Sequence, residues 1–269
     1  MAVSSDGVVT ATVDATTPSI KLVVDFTATG SAIKATAATT VYTVTVTEQT
    51  TGQQVRGISS APGGAIVGID GEAPFATGLS YVAKAFGVTG NLLATSTAAA
   101  ITLPVPATGM GTWLKSLATP SLSCNVTTQT LPTWEDDIAQ GVIRVKNRPD
   151  PIVVSDVRQF DTGTLTVVTK SAAAEAALLA LLKSSGPYLL QMPNAGTADR
   201  YVTVGKVSRS RPSNQFSDSW RVWTLPLTQV VRPPVVGWSV AVPGKTYADT
   251  QAAAPLYSNR TGTYLLRSS

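Results

Sequence analysis

Three acidic side chains in succession, Glu135, Asp136 and Asp137 in PTWEDDIA, form the densest group of chemistry-bearing residues in the chain. Paired carboxylates are what glycoside hydrolysis uses, one as acid and the other as base or nucleophile. These three follow Pro132-Thr133-Trp134 directly, and the simpler expectation is a solvated loop or a helix start. Cys124, in SLSCNVTT, is the single cysteine, so no internal disulfide can form. The alternation around it reads as a strand, with the thiol as a small apolar side chain. A serine nucleophile needs a base beside it, and the chain has no histidine. That also removes the commonest metal ligand. The sequence contains no GxSxG, no CxxC, no EF-hand spacing and no phosphate-binding glycine loop ahead of a helix. The glycines of GQQVRG and VGIDGE read as turn residues. No catalytic, cofactor-binding or metal-binding residue is assigned, and the expectation is a protein that is not an enzyme.

Basic side chains are the other candidates. The net charge is +4 and the isoelectric point about 9.2. Arg144, Lys146 and Arg148 would share one strand face, opposite Ile143 and Val145. Lys206, Arg209 and Arg211 form a second group. Neither group is interleaved with aromatics on which bases could stack. The charge is also uneven. Residues 1–105 carry four basic and six acidic side chains, whereas residues 106–235 carry thirteen and nine. A solvated strand face, or a contact with acidic neighbours, is therefore expected rather than a specific nucleic acid.

The elements that must position these groups are mostly strands. Charged residues make up 13% of the chain, against roughly 25% in ordinary soluble domains. Over residues 7–105, GVVTATVD, SIKLVVDF, TVYTVTVTE, LSYVAKAF and LLATSTAAAITL alternate apolar with small polar residues. This is the period of half-buried antiparallel strands. TVYTVTVTEQTTGQQVRG predicts a hairpin turning at Thr51-Gly52. About seven such strands in about 100 residues predict an immunoglobulin- or fibronectin-III-like sandwich.

LPVPATGMGTW (Leu103 to Trp113) is rich in Pro and Gly and reads as a boundary. Beyond it, GVIRVKNRPDPIVVSD predicts two strands parted by a turn around Pro149, Asp150 and Pro151. TGTLTVVTK, YLLQMP, RYVTVGKVSRSR and WRVWTLPLTQVV predict further strands. The expected divisions are 1–105, a sandwich; 106–235, a second β domain; and 236–269, an extension. The extension carries Tyr247, Tyr257 and Tyr264, and either docks on another surface or is partly disordered.

One stretch is helical. In SAAAEAALLALLKSSGPYLLQMP, Ser171 can cap the start and Glu175 sits near the positive end of the dipole. Alanine-rich positions favour the helix, Lys183 falls in the last turn, and Gly186-Pro187 is expected to stop it. Ala172 to Lys183 would span ~18 Å, too short for a bilayer, so the helix is expected to pack on the second domain. MAVSSDGVV lacks the basic and apolar regions of a secretory signal. No apolar run approaches the ~20 residues a membrane span needs. A soluble chain made in the cytoplasm, with no membrane partner, is expected.

RVKNRPDPIVVSDVRQFDTGTLTVVT, the Ala/Leu helix, GPYLLQMP, RYVTVGKVSRSR and WRVWTLPLTQVVRP together resemble minor tail proteins of long-tailed phages of actinobacteria, including distal-tail-like hub proteins. GIDGEAPFATGLSYVAKA is similar to the sandwich module that precedes the hub in such proteins. KTYADTQAAAPLY is similar to the degenerate Tyr/Trp-Ala-Asp repeats that often end them. The resemblance implies a mainly β chain, with the sandwich followed by a β-barrel or β-sandwich hub domain carrying one helix at about 172–183. It implies a structural virion protein near the distal end of the tail, linking the tube to the tip and adsorption apparatus. It also implies a sixfold ring of identical copies, with tail tube, tape measure and tip proteins as partners and the genome passing through the lumen. It carries no catalytic residues. A second reading makes the sandwich a binding module for cell-wall glycans, through its loops and with Trp238 and the tyrosine-bearing tail supplying stacking surface.

Overall fold

The computed structural model describes residues 1–33, 41–58, 64–106, 111–136, 140–143, 152–155, 161–184, 186–212 and 220–234. The chain is mainly β with one α-helix. Nine strands precede residue 106: β1 (Ala2–Val3), β2 (Val9–Asp14), β3 (Ser19–Asp25), β4 (Thr43–Glu48), β5 (Gln53–Gln54), β6 (Ala65–Asp70), β7 (Gly78–Phe86), β8 (Leu92–Thr95) and β9 (Ala99–Thr102). They form two sheets, β1-β2-β3-β6 and β5-β4-β7-β8, with β9 also on β7. All their ladders are antiparallel. Alternation decides what is buried. Ile20, Leu22 and Val24 of β3 face the shared core, whereas Lys21 and Val23 face out. Val44, Val46, Leu79 and Tyr81 close the core from the other sheet. This is an immunoglobulin-like sandwich.

Two expectations change here. LLATSTAAAITL is two strands, because Ser96 substitutes its side chain for the ladder. Its Oγ accepts from the Ala83 amide at 2.9 Å and donates to the Thr97 carbonyl at 2.9 Å. Gly68 is not a turn residue but lies in the middle of β6. A Cβ there would meet Ile58 Cγ1 at 2.2 Å, so glycine is what lets the buried Ile58 side chain lie against the strand. Gly52 and Gly57 do occupy turns, with φ +70° and +74°. The first closes the β4–β5 hairpin expected at Thr51-Gly52.

The second half contains β10 (Thr112–Ser116), β11 (Cys124–Thr130), β12 (Trp134–Asp136), β13 (Gln140–Ile143), β14 (Ile152–Ser155) and β15 (Asp161–Thr169). The helix α1 (Ala172–Lys183) comes next, then β16 (Tyr188–Gln191), β17 (Arg200–Val204), β18 (Ser208–Ser210) and β19 (Arg221–Gln229). Six strands close in the order β10-β11-β15-β19-β17-β16 and back to β10. The expected barrel-or-sandwich is thus a six-stranded barrel, filled by residues such as Leu114, Leu165, Val167, Val202, Leu225 and Leu227. β12 extends the ladder on β15 beyond β11, and β18 extends the ladder on β19 beyond β17. RYVTVGKVSRSR is accordingly two strands, broken at Gly205. Pro226 sits in β19 opposite that break, where its carbonyl accepts from the Gly205 amide at 2.8 Å. A proline lacks a ladder donor, and here the ladder is already interrupted.

β13 and β14 pair with each other, Gln140 opposite Ser155 and Ile143 opposite Ile152, and with no other strand among the described residues. They form a two-stranded arm that lies in the chain between β12 and β15.

Helix α1 has the expected bounds. Ser171 Oγ accepts from the Ala174 amide at 3.1 Å, and Leu178 and Leu181 are buried against the barrel beside β11 and β15. The stop differs from expectation. Ser184 is extended, its hydroxyl donates to the Leu181 carbonyl at 2.6 Å, and the Tyr188 hydroxyl donates to the Ser184 carbonyl at 2.7 Å. Gly186 contributes by its size: a Cβ there would fall 2.5 Å from the Tyr188 ring. No helix among the described residues is long and apolar enough to cross a membrane.

Candidate functional site

β10 is buried at all five positions and β16 at all four. A barrel strand has one face in the barrel, so burial of both faces needs a second cover. Leu114 and Leu190 point into the barrel core. Lys115 and Gln191, one position on, point the other way and meet the sandwich.

Lys115 is 2% exposed. Its ammonium donates to the Pro18 carbonyl at 2.5 Å and the Gly71 carbonyl at 3.1 Å, and lies 5.1 Å from the Phe75 ring centroid. Gln191 donates through Nε2 to the Ala73 carbonyl at 3.2 Å and to Asp199 at 2.7 Å. Asp70 accepts from the Tyr81 hydroxyl at 2.8 Å and from the Glu72 amide at 3.0 Å. Burial pushes both the Asp70 and Asp199 carboxyls above their usual range, partly offset by these bonds and by the Lys115 charge. Burial also lowers the Lys115 ammonium to about 8, against the pull of Asp70 and Asp199.

Outside this layer lies a second one. Glu72 accepts from Arg56 Nε at 2.8 Å and from Arg232 at 2.7 Å. Arg232 also donates to the Gln54 carbonyl at 3.2 Å. Arg56 donates to the carbonyls of Pro233 and Pro234. The Tyr201 phenol is raised by burial and by the facing Glu72. A cavity of about 190 Å³ lies between the layers, lined by Asp70, Glu72, Asp199, Tyr201 and Arg232 among others.

An amine near neutral pKa is a candidate nucleophile or base. Lys115, however, spends its donors on two backbone carbonyls and is closed from solvent. The arrangement does mechanical work instead. Two backbone segments of the sandwich, at Pro18 and at Gly71–Ala73, are held by side chains of adjacent barrel strands. Gln191 Oε1 is buried there without a hydrogen-bond partner, and desolvated polar contacts of this kind fix orientation more than they add stability.

No protein-family model matches the chain, and no curated protein matches it. The functional reading therefore rests on the residues themselves.

The sequence candidates fall elsewhere. Glu135 and Asp136 lie on β12, a strand and neither a loop nor a helix start, because Trp134, Glu135 and Asp136 pair with Gly163, Thr162 and Asp161. Asp137 is outside the described residues. The strand sets Asp136 beside Asp161, and Arg200 bridges Asp161 to Gln229 while its guanidinium stacks 4.4 Å from the Trp134 ring. Bonds from Arg200 and Asp136 hold the Asp161 carboxyl below its usual range. A carboxylate already occupied by a guanidinium is a poor general acid.

Cys124 opens β11, half-buried against the barrel core, and burial pushes its thiol up to about 11. Arg209, on β18, pairs with Glu175 at 2.7 Å and stacks on Trp223. Glu175 thus has a guanidinium partner besides the helix dipole. Lys206 and Arg211 are exposed. Arg144, Lys146, Arg148, Trp238 and the tail tyrosines lie outside the described residues. Sequence reading missed Lys115, Gln191 and Asp199. The one available signal was a lysine at an alternating position in TWLKS, which by itself predicts a solvent-facing side chain.

Proposed function

We propose that this chain is a structural protein of a phage tail. In this reading it forms a ring of identical copies near the distal end, joining the tube to the tip apparatus. Tail tube, tape measure and tip proteins would be its neighbours, and the virion its location. The observation that carries the reading is a closed barrel with one helix on its flank and an arm, β13–β14, that pairs with no other described strand. Ring formation by heterologous contacts needs two different, complementary patches on each copy, and a hairpin unpaired among the described residues offers one of them. Ile143, 54% exposed on it, gives that element an apolar surface. The buried junction supports the same reading, since a sandwich carried on a ring must keep a fixed direction. The glycan-binding alternative draws on the sandwich loops, Trp238 and the tyrosine-bearing tail, and the last two lie outside the described residues.

Native mass spectrometry of the full chain tests this, alongside incorporation into tail particles. A closed ring, sixfold by the resemblance, is expected. Ile143→Asp should abolish it while leaving the circular dichroism and melting temperature unchanged. A chain that stays monomeric at every concentration and never joins tails sinks the proposal.

A further inference from the structure

β6 ends its sheet: it pairs with β3 on one side and with nothing described on the other. Its outward side chains are apolar. Val67 is 57% exposed and Ile69 39%, and Val23, directly opposite Val67 on β3, is 36% exposed. An open edge with an apolar face is a template for a further strand, and folded proteins usually cover or charge such edges. Along β6 runs a cleft of about 580 Å³, lined by Val67, Ile69, Leu117, Pro120 and Pro233 among others.

Pro233 marks the path of the chain out of the barrel. Arg232 is tied to Glu72 and the Gln54 carbonyl, and the Arg56 guanidinium holds the carbonyls of Pro233 and Pro234. The chain is thus delivered into the cleft by four named hydrogen bonds. Beyond Pro234 the sequence runs VVGWSVAV and then Pro243. Val236, Trp238, Val240 and Val242 alternate with Val235, Gly237, Ser239 and Ala241, so one face of an extended strand would be wholly apolar. The segment has no charge. A proline stands at each end of it, which suits an edge strand with defined ends. Its eight residues exceed the six of β6.

We propose that residues 235–242 add to the free edge of β6 in the same molecule, with the apolar face that contains Trp238 seated in the cleft. Backbone pairing would give the affinity and alternate side chains the register, as in strand addition generally. A segment tethered at the rim of its own site meets it at millimolar effective concentration. That favours the molecule's own segment over one from another copy. The inference holds for a monomer as well as for a subunit of a ring.

Hydrogen exchange on the full chain tests it, at two protein concentrations tenfold apart. Trp238→Asp and Val240→Asp should each speed exchange at β6 amides at least tenfold and leave β15 unchanged. Ala241→Asp, on the other face, should leave β6 exchange unchanged. In a Cys124→Ser background, Val67→Cys with Val240→Cys should give a cross-link within one chain. Unchanged β6 exchange in both Asp variants overturns the proposal. So does β6 protection that appears only at the higher concentration, or a cross-link found only between chains, either of which would assign the edge to a second copy.

Discussion

Arg232 donates to Glu72 across 2.7 Å although 160 residues separate them. The contact ties the strap that leaves the last barrel strand to the turn that ends sandwich strand β6. Glu72 has a side chain only 7% exposed, and a second guanidinium, Arg56, meets the same oxygen, Oε2, at 2.8 Å. Glu72→Gln removes the charge that both cations face, and breaking a buried pair from one side is costly. The arginines keep backbone acceptors, so a loss of about 3 kcal/mol is expected, at the low end for such changes. Calorimetry should also show the single unfolding transition separating into two, as the sandwich and barrel cease to unfold together.

Glu48 makes a prediction about acid. It is 3% exposed, and burial would raise its carboxyl. Bonds from the Thr51 amide and hydroxyl at 2.6 Å, the Thr50 amide at 2.8 Å and the Ser80 amide at 3.1 Å outweigh that. The result is a carboxyl at about 2, against an ordinary 4.5. A depressed acid stabilises the fold above its unfolded value and loses that contribution as pH falls towards its folded one. The stability gap between wild type and Glu48→Gln should therefore be constant above pH 4.5 and shrink by about 2 to 3 kcal/mol on reaching pH 2. Urea titrations at fixed pH values measure it.

Elements set by neighbours in the chain were legible in the sequence, and contacts between distant segments were not. Ser171, Glu175 and Lys183 are local signals, so helix α1 was legible with its bounds. β3 and β7 were legible because their alternation is local too. Barrel closure was not, because it depends on β10 meeting β16, which lies far along the chain. Lys115 misleads for the same reason. In TWLKS it alternates correctly with Leu114, and alternation says only that it leaves the barrel core. That a sandwich covers the outward face is a tertiary fact. Gly68 misleads because a glycine near Asp and another glycine resembles a turn, whereas its cause is Ile58 pressing from another segment.

Gly68→Ala tests that cause. The new Cβ would lie 2.2 Å from Ile58 Cγ1 and 2.5 Å from Cδ1. Ile58 is fully buried and β-branched, so it cannot swing aside freely. Overpacking of this kind costs roughly 1 to 3 kcal/mol. Ile58→Ala alone leaves a cavity and costs roughly 2 to 5 kcal/mol. The double variant should be more stable than the sum of the two predicts, with a coupling of about 1 kcal/mol or more. Strict additivity in denaturant melts would show that Ile58 is not the reason for the glycine.

Lys115 gives the same sign as Glu48, at the opposite end of the pH scale and from the opposite cause. Burial lowers its ammonium to about 8 from an ordinary 10.5. Between those values the unfolded chain holds the proton and the folded chain has released it. Stability therefore rises with pH across that window, because the unfolded state binds more protons there. Lys115→Met abolishes this dependence. The stability of wild type minus that of the variant should be flat below pH 8 and grow by about 2 to 3 kcal/mol towards pH 10.5. The same variant strips Asp70 and Asp199 of the cation that favours their charged forms, so both carboxyls should titrate higher by carbon-detected NMR. A wild-type advantage that falls with pH, or carboxyl titrations that do not move, would mean that the ammonium at the junction is solvated rather than held between Pro18 and Gly71.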